Sequence, residues 1–282
     1  MKQMNIKLLL TFIFVSCLMG CTKEDKIDRI NIPGLGGETW EKTTLDYWLD
    51  STFTLPYNIE VKYRFERYEL TLDKTLVPVQ EDKVRPVMST IQKTWIAPYV
   101  AEAGEAFFKK YCQKQFVLVG SPQFNSNNTI TLGTAEGGRK VVLFWLNDFV
   151  LTDKHFVRQM LHTIHHEFAH IMHQTIMYPV AYKSISTGYT GSWNDYTLPQ
   201  ALARGFITQY ARSAPDEDFV EMIATMLVEG KAGYEAIIAT APADAQVKFR
   251  QKEEVIVSYF KENWNIEFYN LQKRVQDAIN NL

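Results

Sequence analysis

Apolar and polar positions alternate with a period of two in Ile59, Val61, Tyr63 and Phe65, the pattern of a strand with one buried face. Over residues 86–110 the spacing of Ile91, Trp95 and Tyr99 is helical instead. Three short β-rich runs follow at 115–119, 129–132 and 140–145, separated by Ser121-Pro122 and Gly137-Gly138. From residue 153 onward the apolar period is again helical, in stretches at about 154–175, 215–229 closing at Gly230, and 243–280. Strands first and helices afterwards predict an α+β domain, a small mixed sheet with helices followed by a helical C-terminal half.

The N-terminus follows neither period. Lys2 and Lys7 precede an uncharged, mostly apolar run over residues 8–20, which is too short to span a bilayer and suits a secretion signal. It ends in Leu18-Met19-Gly20-Cys21, which resembles the lipobox of bacterial lipoproteins, and that resemblance implies cleavage before Cys21 and lipid on its thiol and amine. An ordinary signal with an incidental Cys is the alternative. Thr22-Lys23-Glu24-Asp25-Lys26 resembles the surface-export signal of some Gram-negative lipoproteins. The expected organisation is a signal peptide at 1–20, a lipidated tether at 21–39 carrying Pro33, Gly34, Gly36 and Gly37, and one domain at 40–282. An outer-membrane lipoprotein facing the cell exterior is the localisation this implies.

Composition narrows the classes further. With 282 residues, 46% of them hydrophobic and 13% aromatic, the chain has the makings of a sizeable core. Its 30 basic and 32 acidic residues leave a formal charge of −2 and no Lys/Arg-rich run, so nucleic acid is not an expected partner. Of the cysteines, Cys17 leaves with the signal and Cys21 is modified. Cys112 then has no partner for a disulfide and, within an apolar-rich stretch, reads as a small buried hydrophobe.

All six histidines, at 155, 162, 165, 166, 170 and 173, fall in one predicted helix. Advancing about 100° per residue puts His162, His166, His170 and His173 within an arc of roughly 80°. Val157, Met160, Leu161, Ile164, Phe168 and Ile171 occupy the opposite side, so one face enters the core and the other presents imidazoles. Within the row, His166-Glu167-Phe168-Ala169-His170 is an H-E-x-x-H motif, which stacks two imidazoles one turn apart for a single Zn²⁺ and sets a carboxylate beside the first. Glu167 is then suited to take a proton from a zinc-activated water and pass it to a leaving amine.

A catalytic zinc needs a third protein ligand and an open position. No histidine exists outside this helix, and His173, three residues past His170 on a continuous helix, should point past the metal. A carboxylate remains. Pro215-Asp216-Glu217-Asp218-Phe219-Val220-Glu221 opens a new helix, with Glu217 and Glu221 one turn apart on one face. The first is placed to bind the metal and the second to accept a hydrogen bond from a ligand imidazole. Asp218 is the rival ligand, but helical spacing turns it about 100° from Glu217. The same acids would also suit a solvated helix start that complements the helix dipole.

H-E-F-A-H followed by Tyr210 and the E-D-F-x-E run resembles the zincin-type peptidases that use a Glu third ligand, including the lethal-factor-like metallopeptidases. With the signal and lipobox, the chain is similar to the putative zinc-binding metallopeptidase family, also described as substrate import-associated zinc metallohydrolase lipoproteins. The resemblance implies a zincin-like fold, one Zn²⁺ per chain held by His166, His170 and Glu217, Glu167 as general base, Tyr210 as oxyanion stabiliser and Glu221 behind the ligands. Val220 departs from the small residue usual at that place, which bears on local packing and not on the ligand set. On its own, Tyr210 is either such a donor or a packed aromatic.

Between these motifs, residues 182–196 form a polar loop with Gly188, Tyr189, Gly191 and Trp193, read either as part of a substrate wall, with Tyr189 and Trp193 as contacts, or as an ordinary surface loop. Two functions remain open. One is a surface zinc peptidase acting on peptides or proteins and, by the resemblance, associated with nutrient uptake. The other is a non-catalytic, metal-containing substrate-binding lipoprotein of an outer-membrane import complex. Glu167 favours the enzyme, because a binding module has no use for a base there.

Overall fold

The computed structural model describes residues 40–70, 73–125, 129–136 and 139–282. The expected signal at 1–20, the lipidation site Cys21 and the tether at 21–39 lie outside the described residues. Residues Thr43–Leu282 fold as one unit.

Strands β1 (Glu60–Lys62), β2 (Gln115–Leu118), β3 (Gln123–Phe124), β4 (Ile130–Thr131), β5 (Gly133–Glu136) and β6 (Lys140–Leu143) form two sheets. The larger has the order β1-β2-β6-β5, with β1, β2 and β6 parallel and β5 antiparallel at the edge; β3 and β4 pair as a separate antiparallel ribbon. Successive side chains of a strand point to opposite faces. Phe116, Leu118, Val141 and Leu143 accordingly face the main core, while Val117 and Val142 join Val119 and Phe144 in a smaller one.

The helices are α1 (Thr44–Leu49), α2 (Leu55–Tyr57), α3 (Glu81–Ile91), α4 (Ala97–Ala103), α5 (Glu105–Tyr111), α6 (Lys154–Thr175), α7 (Tyr182–Ile185), α8 (Leu198–Leu202), α9 (Pro215–Ala239), α10 (Ala243–Trp264) and α11 (Phe268–Asn280). The chain is therefore mixed α+β with a mostly helical second half, as its periodicity predicts. Among the described residues no helix is long and apolar enough to cross a membrane.

Helix α6 starts where Asp153 accepts the backbone N–H groups of His155 and Phe156, both at 3.1 Å. Val157, Met160, Leu161, Ile164 and Phe168 bury its apolar stripe, and the Phe168 ring meets Trp95 and Tyr99 edge-on. His165 is also on the core side, fully buried beside Tyr99, and burial pulls it down to about 3, so it stays neutral. Edge strand β5 lies close on the polar flank of α6. A Cβ at Gly133 would stand 2.2 Å from Thr163 Cγ2, so only glycine permits this approach.

Two helix limits differ from the periodicity. Gly230 does not close its helix but bends it: φ 67° and ψ −177° interrupt α9, which then resumes to Ala239. The carbonyls of Met226, Leu227 and Val228 lose their partners in the next turn and accept instead from the amides of Gln272 and Gln276, at 2.7 to 2.8 Å. The stretch 243–280 is two helices, turned at Asn265 in the left-handed region with φ 53°. Both breaks are single-residue backbone events that leave the apolar period intact on either side. From Asp218 to Val228, α9 is buried all round, the signature of a central helix and not of a solvated one.

Candidate metal centre

Helices α6 and α9 pack along one another, and their polar positions meet at one point. His166 Nε2 and His170 Nε2 are 3.1 Å apart, and Glu217 Oε2 stands 3.2 Å from the first and 3.3 Å from the second. Three donor atoms at a tetrahedral ion with bonds near 2.0 to 2.1 Å would be separated by about 3.3 Å. The side-chain triangle therefore fits such an ion.

The far nitrogens decide what the near ones offer. His166 Nδ1 is 2.7 Å from Glu221 Oε1, and a carboxylate accepts, so the proton sits on Nδ1 and the lone pair of Nε2 faces the triangle. His170 Nδ1 meets His173 Nε2 at 2.9 Å. His173 thus points past the triangle, as its spacing predicts, and backs His170. Lone pairs brought this close without a proton or cation between them repel, and the chemistry of the donor set asks for one.

Charge in the neighbourhood agrees. Burial opposes a positive ring at His166, but Glu217 and Glu221 outweigh it and raise the group to about 10. Burial likewise opposes charge on Glu217, yet hydrogen bonds from His166 and His170 hold its carboxyl at about 2. Glu221 is held well below the usual carboxylate range because His162 and His166 overcome its burial.

Glu221 is 5% exposed and more heavily engaged than one imidazole requires. Besides His166 Nδ1 it receives His162 Nε2 at 2.9 Å and the Thr208 hydroxyl at 2.6 Å. Neither His162 nor Thr208 was assigned a role from the sequence. His162 had a signal, since it lies on the same helical arc as His166; Thr208, on an irregular segment, had none.

Glu167 lines a cleft of about 720 Å³ in front of the triangle, with residues 129–134 of the β4–β5 region forming one wall. Burial raises its carboxyl, partly offset by His166 and His170. Tyr210 and Trp193 also line the cleft, their rings edge-to-face with centroids 5.1 Å apart, and Tyr210 is 6.0 Å from the His166 ring. Burial, then Glu217 and Glu221, push the Tyr210 phenol up, so it keeps its proton and remains a donor. The two aromatics expected at the substrate wall are separated: Trp193 lines the cleft, whereas the Tyr189 hydroxyl is tied to Asp218 Oδ2 at 2.9 Å and its ring packs on Phe206.

Asp218, the rival ligand, faces the other way and is fully buried. Its carboxylate meets the fully buried Lys252 of α10 at 2.8 Å and 2.5 Å. Lys252 also donates to Gly205 O at 2.6 Å, and Tyr182 donates to the Asp218 carbonyl at 3.1 Å. The Lys252–Asp218 pair thus fastens the first turn of α9 to the segment leading to Thr208 and Tyr210 through Gly205, and to the loop carrying Trp193 through the Tyr189 hydroxyl. A lysine in an otherwise mixed helix carries no sequence signal of such burial. Cys112 is buried and free, with its thiol pushed up by burial, as its apolar setting predicts.

A family model described as "Putative zinc-binding metallo-peptidase" matches residues 38–269. A solved structure described as a putative zinc-binding metallo-peptidase from Bacteroides caccae ATCC 43185 is 31% identical, with a TM-score of 0.73, over 84% of this chain and 91% of that one. No curated protein matches the chain.

Proposed function

The chain belongs to the family described as putative zinc-binding metallo-peptidases, and from that premise we propose that it is a surface-anchored zinc peptidase using His166, His170 and Glu217 as ligands, one zinc per chain. The observation that carries this reading is the triangle of 3.1 to 3.3 Å between two imidazole nitrogens and one carboxylate oxygen, open toward a cleft that Glu167 also lines. When bound, zinc supplies a Lewis acid that polarises the substrate carbonyl and acidifies water.

The chain's own groups do the rest. Glu167, its carboxyl raised by burial, takes the proton of the attacking water and hands it to the leaving amine. Tyr210 keeps its phenol proton and donates it as a hydrogen bond where negative charge grows on the former carbonyl oxygen. Glu221, itself fixed by His162 and Thr208, holds the His166 ring in the tautomer that turns Nε2 inward. The substrate lies extended along the open edge of β5, as peptides do when they add a strand to a sheet, with Trp193 in the same cleft supplying contact area.

Lipid on Cys21 would anchor the protein to the outer membrane of a Gram-negative cell, with residues 21–39 as spacer and the peptidase working beside a nutrient import complex. Purified protein should contain about one zinc per chain by elemental analysis. Glu167→Gln should retain the metal and lose at least about a hundredfold in turnover on a peptide library. Zinc with no turnover in the parent would favour the non-catalytic binding lipoprotein, and turnover undiminished in the variant would remove Glu167 as the base.

A further inference from the structure

The cleft continues past His162. A side pocket of about 330 Å³ shares Leu132, His162 and Thr163 with the main cleft and is bounded beyond them by Arg158, Gln159 and Glu229. Arg158 lies on α6, two turns before His166, and is half-buried. Its Nε is shut off from solvent without a hydrogen-bond partner. Among the described residues no carboxylate stands within ion-pair distance of its guanidinium. Glu229 shares the pocket but folds back along α9, where a Cβ placed at Gly233 would lie 3.4 Å from its Oε2.

A guanidinium is a permanent cation with five donors in a planar fork, and the group that matches it best is a carboxylate. A buried donor left without an acceptor is costly, and Arg158 lines a pocket that shares Leu132, His162 and Thr163 with the substrate cleft. His155, Gln159 and His162 line the pocket around it. The geometry points to Arg158 as a specificity-determining residue that takes a carboxylate of the substrate, either an Asp or Glu side chain or a free C-terminus. The spacing along α6 sets where that carboxylate lies. Eight residues of helix rise about 12 Å, and an extended peptide covers about 3.3 Å per residue, so the anionic group sits about three to four residues from the bond that is cleaved.

The inference rests on the peptidase reading of the same cleft, and its test has a readout that does not need turnover. Ten-residue fluorogenic peptides carrying Glu or Gln in turn at each position, each made as free acid and as C-terminal amide, are assayed for cleavage by the zinc-loaded protein. The same set is titrated by calorimetry against zinc-loaded Glu167→Gln, alone and combined with Arg158→Gln or Arg158→Lys. One Glu position, or the free acid over the amide, should lower Kd and raise kcat/KM roughly tenfold to a hundredfold. Arg158→Gln should erase that preference and Arg158→Lys should keep part of it. A dependence on side-chain Glu in both acid and amide peptides identifies an acidic residue; a dependence on the free acid alone identifies the chain terminus. If the carboxylate preference and its loss in Arg158→Gln appear in binding while nothing is cleaved, the subsite stands and the peptidase reading fails. If acid and neutral peptides bind alike, if none binds, or if the preference survives Arg158→Gln, the assignment of Arg158 is overturned.

Discussion

His166 sits between two carboxylates, Glu217 at its Nε2 and Glu221 at its Nδ1, and this double engagement makes the metal-free protein sensitive to pH. Its ring is raised from 6.5 to about 10. The stability this contributes is fully present below pH 6.5 and is lost as pH rises through about 10. Glu217 is lowered from 4.5 to about 2, so its contribution is present above pH 4.5 and is lost as pH falls through about 2. The Tm of the chelator-treated protein should therefore hold between these limits, decline on the alkaline side above the ordinary histidine range, and decline on the acid side. With zinc in place of the proton, the alkaline decline should shrink, because the lone pair of Nε2 no longer titrates. Thermal melts from pH 4 to 10, with zinc and with chelator, check this; identical alkaline limbs would mean that zinc does not take the Nε2 position. The residues that form the triangle are legible from their types and spacing, H-E-x-x-H and a carboxylate pair one turn apart. Their supports were not: Thr208 belongs to a segment without periodicity, and the pairing of His162 with Glu221 depends on how two helices cross.

At the scale of elements, α6 was readable to its ends because Asp153 caps it and its apolar stripe runs unbroken. The course of α9 was harder to read. Its acids could belong to a solvated start, and only the packing of α10 against it reveals that Asp218 is an internal ion-pair partner. Removing one member of that pair leaves the other charged and buried. Asp218→Asn or Lys252→Met alone should cost about 3 to 5 kcal/mol of unfolding free energy, whereas the double variant should recover most of it. Urea denaturation of the three variants measures this, and an additive double variant would show that the two side chains do not depend on each other. Because Lys252 also holds Gly205, the single variants should loosen the segment bearing Thr208 and Tyr210 and weaken zinc binding as well. Gly230 reads as a helix end, but the resumption of α9 beyond it and the turn at Asn265 stay hidden, because each break reverses one residue's φ without disturbing the apolar pattern around it.

On the scale of the whole molecule, the α+β class follows from the order of periods along the chain, while the sheet order does not, since β6 inserts between β2 and β5 through pairings that no local pattern dictates. The proposed address segment makes a prediction of its own. Cells expressing the full chain should carry it in the membrane fraction, digestible by protease added to intact cells, and Cys21→Ala should move it to the soluble fraction. Recovery of the variant with the membranes would rule out lipid at that residue. The amides that receive the carbonyls at the bend of α9 come from Gln272 and Gln276, about fifty residues after those carbonyls. A growing polypeptide thus acquires every proposed ligand well before it acquires the fastening that steadies the helix bearing Glu217. The centre matures late in synthesis, which suits the export proposed for this chain.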